Sequence, residues 1–129
     1  MLIGVNNQYQ GLSIDNYRIE FVDLLQRSVD FAGGDPEKVI VLSIPDWGVT
    51  PFADGRNREQ IASEIDAFNQ VNKEEAEKAG VNYINITPIS RRAEQSSSLI
   101  ASDGLHPSGE MYALWVEKML EKAETAITR

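Results

Sequence analysis

The sequence predicts an α/β domain built on a parallel sheet, and three observations predict it. Short runs of β-like character, Leu2 to Val5, Val39 to Ile44 and Asn82 to Ile86, alternate with longer stretches whose apolar residues recur at helical spacing. The resulting order is β-α-β-α-β-loop-α, and strands joined through crossover helices lie parallel with right-handed connections. The middle run, Val39-Ile40-Val41-Leu42-Ser43-Ile44, is a continuous, mostly β-branched apolar run broken only by Ser43, which suits a strand covered on both faces.

Each element has a local reason. Leu2-Ile3-Gly4-Val5 reads as a first strand, followed by a polar loop from Asn6 to Gly11. Ser13 can cap a helix in which Ile14, Tyr17, Phe21, Leu24, Leu25 and Ala32 form the apolar stripe. Gly33-Gly34 ends it, because glycine accepts the left-handed cap. Pro45 stops the second strand, and a long loop runs from Asp46 to Gly55. Asn57 with Gln60 three residues on resembles a capping box. The helix behind it carries Ile61, Ile65, Phe68, Ala76 and Ala79 and closes at Gly80. Pro88 ends the third strand, and an irregular stretch passes Ser96-Ser97-Ser98. Ser108 then caps a last helix containing Met111, Leu114, Trp115, Met119 and Leu120. There is no repeat, low-complexity tract or linker, so residues 1–129 are read as a single domain.

Composition narrows the function classes. The net charge is −8, which leaves no basic field for nucleic-acid phosphates. No apolar run reaches the length of a membrane span. The absence of cysteine removes disulfides, thiol nucleophiles and thiolate metal sites, and a single histidine, His106, excludes a multi-histidine metal centre. Neither a metal nor an organic cofactor is expected. The N-terminus has no signal-peptide pattern, so the chain as written reads as cytoplasmic, while a longer precursor could be secreted.

In an open parallel sheet, ligands bind beyond the carboxyl ends of the strands. That rim collects Gly4-Val5-Asn6-Asn7, the Asp46–Gly55 loop and the stretch from Thr87 to His106. In Asp103-Gly104-Leu105-His106 a carboxylate three residues before an imidazole can hold it in one tautomer and stabilise the imidazolium of a general base. The same four residues can equally be a polar surface loop. Asn6 at a strand end can donate N–H to a developing oxyanion, a contact worth roughly 3–4 kcal/mol. It can equally close an Asx turn on its own backbone. Trp47 and Phe52 either line a substrate pocket or pack over the sheet rim. Arg91-Arg92 is either a solvated pair or a contact for an anionic substrate group. Tyr9 and Gln10 are further residues on this rim without an assigned role.

Taken together, the motifs resemble the SGNH hydrolases, also called GDSL esterases and lipases. The block G-x-N-D after a central strand is matched by Gly4-Val5-Asn6-Asn7, and D-x-x-H before the terminal helix by Asp103-Gly104-Leu105-His106. The flanking segments Ile3–Gly11, Val41–Pro51 and Asp103–Gly109 resemble bacterial members. The resemblance implies a three-layer α/β/α, flavodoxin-like parallel sheet, here shortened to about three strands. It implies that His106 is the general base, Asp103 its orienting acid and Asn6 the oxyanion donor, with Gly4, Asn7 and Trp47 near the substrate. Asn7 stands where the family usually has Asp. The implied substrate is a small-molecule, lipid or sugar ester.

The departure lies in what is missing. The family's Gly-Asp-Ser nucleophile block and its following glycine block have no counterpart, and the first strand corresponds to the third of an expected five. Ser43, Ser96, Ser97, Ser98 and Ser102 do not lie on a strand-to-helix turn flanked by Gly-Asp. Two expectations follow. Either the chain is the shortened part of a serine ester hydrolase, or it is a non-catalytic interaction module that dimerises through an exposed Leu2–Val5 edge strand. A third class, a flavodoxin-like signalling or nucleotide domain, lacks a glycine-rich phosphate loop.

Overall fold

The computed structural model describes residues 1–128. The architecture is mixed α/β and mostly helical, around a two-stranded parallel sheet. Strand β1, Ile40–Leu42, pairs with β2, Asn82–Ile84, in the register Ile40↔Asn82, Val41↔Tyr83 and Leu42↔Ile84. Helix α1 is Val5–Tyr9, α2 Ile14–Phe31, α3 Arg58–Lys78, α4 Thr87–Arg91 and α5 Gly109–Thr128. No helix among the described residues is long and apolar enough to cross a membrane.

The caps expected for the long helices are present. The Ser13 side chain accepts from the Asn16 N–H at 3.1 Å, and that of Asn57 from Gln60 at 3.0 Å. The Ser108 hydroxyl accepts from Met111 N–H at 3.3 Å. Each satisfies one of the orphan donors at a helix start. Only one half of the capping box at Asn57 forms, since the Gln60 amide reaches forward to Glu64 Oε1 instead, at 2.8 Å.

Side chains of the sheet alternate between two clusters. Val41 and Tyr83 join Tyr17, Phe21, Ile65 and Phe68 from α2 and α3, while Ile40, Leu42 and Ile84 join Leu99, Met111 and Trp115 around α5. Tyr17 and Phe68 rings lie 4.7 Å apart between centroids. Fully burying a side chain of this size contributes about 1.5–3 kcal/mol, so these two clusters hold the helices to the sheet.

The first expected strand is not formed. Residues 2–4 have no regular structure, and Val5 already belongs to α1. Gly4 turns the chain at φ 118°, and Gln8 N–H bonds back to its carbonyl at 3.1 Å. Sheet pairing before the turn is confined to Met1, whose N–H donates to the Ile40 carbonyl and whose carbonyl accepts from Leu42 N–H at 2.9 Å. The sheet therefore has two strands rather than three, and the Leu2–Val5 edge expected to pair two copies is not a strand.

The other strands are shorter than their apolar runs. At Ile44 a side chain takes the place of a neighbouring strand. Asn69 Oδ1 accepts from Ile44 N–H at 2.7 Å, and Asn69 Nδ2 donates back to the Ile44 carbonyl at 3.2 Å and to Thr87 Oγ1 at 2.9 Å. The irregular stretch after β2 contains α4, where Pro88 sits in the first turn without needing an N–H donor.

Candidate active site

The turn that carries Asp103 and His106 is closed from both sides. Ile100 and Pro107 form an antiparallel bridge, with Ala101 N–H to the His106 carbonyl at 2.8 Å and Ser108 N–H to the Leu99 carbonyl at 2.9 Å. Gly104 adopts φ 74° at the tip, a conformation that side-chain-bearing residues adopt at a cost. Within the turn, Asp103 Oδ1 accepts the backbone N–H groups of Leu105 and His106, both at 2.9 Å, and Oδ2 lies 2.6 Å from His106 Nδ1.

These contacts set the electrostatics. The backbone N–H of His106, then that of Leu105, then the imidazole itself stabilise the carboxylate and hold the Asp103 carboxyl down at about 2. An ionised carboxylate cannot donate, so the shared proton sits on Nδ1, which leaves Nε2 as the ring nitrogen available to take up a proton. Nε2 has no hydrogen-bond partner among the described residues. Both side chains are largely exposed, 69% for His106 and 51% for Asp103. The pair is therefore oriented by geometry more than by a dry environment.

Asn6 reaches the same place from the other end of the chain. It occupies the first turn of α1, and its side chain is exposed and makes no hydrogen bond among the described residues. Asn6 and His106 both line one cavity of about 290 Å³, whose walls include Tyr9, Trp47, Phe52 and Met111. The walls are mainly apolar, with Asp46 and Ser90 as buried polar groups at the lining.

Trp47 is fixed within this wall by a relay from α3. Its indole N–H donates to Gln8 Oε1 at 2.8 Å, and Gln8 Nε2 donates to Glu64 Oε2 at 2.8 Å. Tyr9 meets Trp47 edge-on at 5.3 Å, and Phe52 meets Trp47 edge-on at 6.0 Å. Arg56 lies 5.2 to 5.4 Å from the centroids of all three rings.

Two of the expected substrate residues stand apart from the cavity lining. Asn7 Nδ2 donates to Glu20 Oε2 at 2.9 Å. Gly4 is buried, and a Cβ there would run into the Tyr17 hydroxyl and come within 2.7 Å of Ile44 Cδ1. Its glycine is explained by backbone shape and close packing beneath α1. Arg91, one alternative contact for an anionic group, is engaged by Asp46 Oδ2 and Asp66 Oδ1, both at 2.8 Å.

Among the serines, Ser43 is fully buried and accepts from the N–H groups of Ile86 and Thr87 at 2.8 and 3.0 Å. Ser90, not singled out by the sequence motifs, reaches the cavity, but its hydroxyl donates to the Thr87 carbonyl at 2.6 Å and accepts from Asp46 N–H at 2.9 Å. Arg56 and Ser90 carry no motif; Arg56 reaches the site from the bend before α3 and Ser90 from the short helix α4, neither of which the local pattern specifies.

A family model described as the GDSL-like Lipase/Acylhydrolase family matches residues 1–114. No curated protein and no solved structure matches the chain.

Proposed function

The chain belongs to the GDSL-like lipase/acylhydrolase family, and from that membership we propose that it carries the base, orienting and oxyanion parts of a carboxylic-ester hydrolase site. The observation that supports this most is the shared cavity: the amide of Asn6 and the Asp103-held ring of His106 line one apolar pocket. On this reading the two-stranded sheet is the core of a three-layer, flavodoxin-like arrangement, and Trp47 flanks the acyl or alcohol group of the ester.

The proposed chemistry follows from the donors and acceptors. His106 Nε2 takes the proton of an attacking hydroxyl as its oxygen bonds to the ester carbonyl carbon. Asp103 stabilises the imidazolium that forms. The carbonyl oxygen becomes an oxyanion, to which Asn6 Nδ2 donates. Collapse breaks the ester C–O bond, the leaving alkoxide takes the proton from His106, and water releases the acyl group by the same cycle. In the family the attacking hydroxyl belongs to a Gly-Asp-Ser motif, which these 129 residues do not contain. The reading assigns that serine to a segment outside them.

A second reading is favoured by the lack of any hydroxyl bonded to His106 Nε2 among the described residues. On it the cavity binds acyl ligands without turning them over. Hydrolysis of p-nitrophenyl acetate tests both. The catalytic reading predicts, once the chain is joined to a segment carrying the Gly-Asp-Ser serine, a rate above buffer that His106→Ala removes. Hydrolysis indifferent to His106→Ala contradicts it, and saturable binding of the ester without turnover supports the second reading.

A further inference from the structure

Arg56 stands out among the cations of this acidic chain by its place against three aromatic rings. Arg18, Arg27, Arg58 and Arg91 each face a carboxylate. Asp54, two residues from Arg56 in sequence, has its Oδ1 at 2.7 Å from Arg58 instead. Arg56 makes no ion pair among the described residues. Its guanidinium is held at 5.3 Å from the Tyr9 ring, 5.4 Å from Trp47 and 5.2 Å from Phe52, and one Nη2 donates to the Tyr9 hydroxyl at 3.3 Å. All three rings line the cavity that Asn6 and His106 share. A guanidinium has five N–H donors in a planar fork, so most of its donor capacity is unused here.

We propose that Arg56 is a specificity-determining residue that binds a carboxylate carried by the ester substrate away from its scissile bond. The inference rests on the ester-hydrolase reading of the cavity and names the substrate class: half-esters of dicarboxylic acids or similarly anionic acyl esters. The rings surround the guanidinium by cation–π contact, and only one of its N–H groups is spent on the Tyr9 hydroxyl, which leaves the others for a carboxylate. A chain of net charge −8 repels anions in general, so a cation without an ion pair beside an apolar pocket supplies attraction at the site itself. A planar, bidentate carboxylate contact suits arginine better than the point charge of lysine.

Binding rather than turnover tests this, so its outcome is separable from that of the hydrolase reading. The Trp47 indole N–H signal is followed by NMR while monomethyl glutarate or dimethyl glutarate is added to the full chain. The wild type is expected to bind the anionic half-ester about tenfold or more tightly than the neutral diester, as a charge-assisted contact provides. Arg56→Gln is expected to lose that preference while still binding the diester, and Arg56→Lys to keep a reduced one. Equal affinities in the wild type, a preference that survives Arg56→Gln, or no binding of either compound overturns the proposal. Loss of both ligands in Arg56→Gln also overturns it, because the arginine would then serve only to pack the rings.

Discussion

Phe52 donates its backbone N–H to the Gly104 carbonyl at 3.1 Å, joining the loop after β1 to the turn that carries Asp103 and His106. Two segments about fifty residues apart in sequence are therefore held at one rim by main-chain contact. Side chains then complete the site, with Trp47 and Phe52 from the first segment and His106 from the second. Gly104 sits at φ 74°, and an added Cβ would rest 3.5 Å from Pro51 Cβ, an ordinary contact. The cost of Gly104→Ala is thus in the backbone, about 1–2 kcal/mol. Thermal unfolding should show a Tm lower by about 3–8 °C, the range such a loss produces in domains near this size.

Gly4→Ala should be more damaging, because strain and collision combine. The residue has φ 118°, and the new methyl would meet the Tyr17 hydroxyl and the Ile44 side chain, both buried. Left-handed strain and overpacking each cost about 1–3 kcal/mol, so a loss of about 3 kcal/mol is expected from urea unfolding. An unchanged urea midpoint would mean that α1 does not pack as described.

Asn69→Leu tests the side chain that stands in for a strand neighbour. The replacement leaves the Ile44 N–H without the partner it has at 2.7 Å, while the Ile44 carbonyl loses Asn69 but keeps the Thr87 hydroxyl, also at 2.7 Å. Stranding a buried backbone N–H costs about 1–3 kcal/mol, so destabilisation of about that size is expected by the same measurement. Amide hydrogen exchange at Ile44 should accelerate with it.

Asp103 links the site to acid stability. Its carboxyl is held at about 2 in the folded chain, against an ordinary value of 3.8. A depressed value means that the unfolded chain binds more protons between those limits, so stability rises with pH there. The contribution is complete above the unfolded value and is lost as pH falls towards 2. Asp103→Asn should flatten this part of the urea-midpoint profile and leave its shape above about pH 5 unchanged. An identical acid limb in both proteins would contradict the hydrogen bonds given to the carboxylate.

Much of the frame was legible in the residues. The caps Ser13, Asn57 and Ser108 and the apolar stripes behind them locate α2, α3 and α5, because capping and helical periodicity are local properties. The Asp103–His106 contact was legible for the same reason, since three residues and a glycine suffice to form it. The segment Leu2–Val5 was misread as a strand, because its apolar pattern says nothing of the turn that Gly4 makes or of α1 starting at once. Asn69 and Asn72 lie on the buried face of α3, yet in the sequence they interrupt its stripe as polar residues. Their partners, Ile44 and Tyr17, lie in other elements, so only tertiary packing reveals why they are there. The Arg56 cluster is hidden likewise, since its rings come from α1 and from the loop after β1.

The most direct measurement uses the fact that His106 is the chain's one histidine, so its ring signals are unambiguous. Labelled protein is titrated with ethyl butyrate, and the His106 imidazole and the Asn6 side-chain amide are followed by NMR. A shared cavity predicts that both sets of signals move along one saturation curve. Movement of one without the other, or of neither at saturating ester, would contradict it.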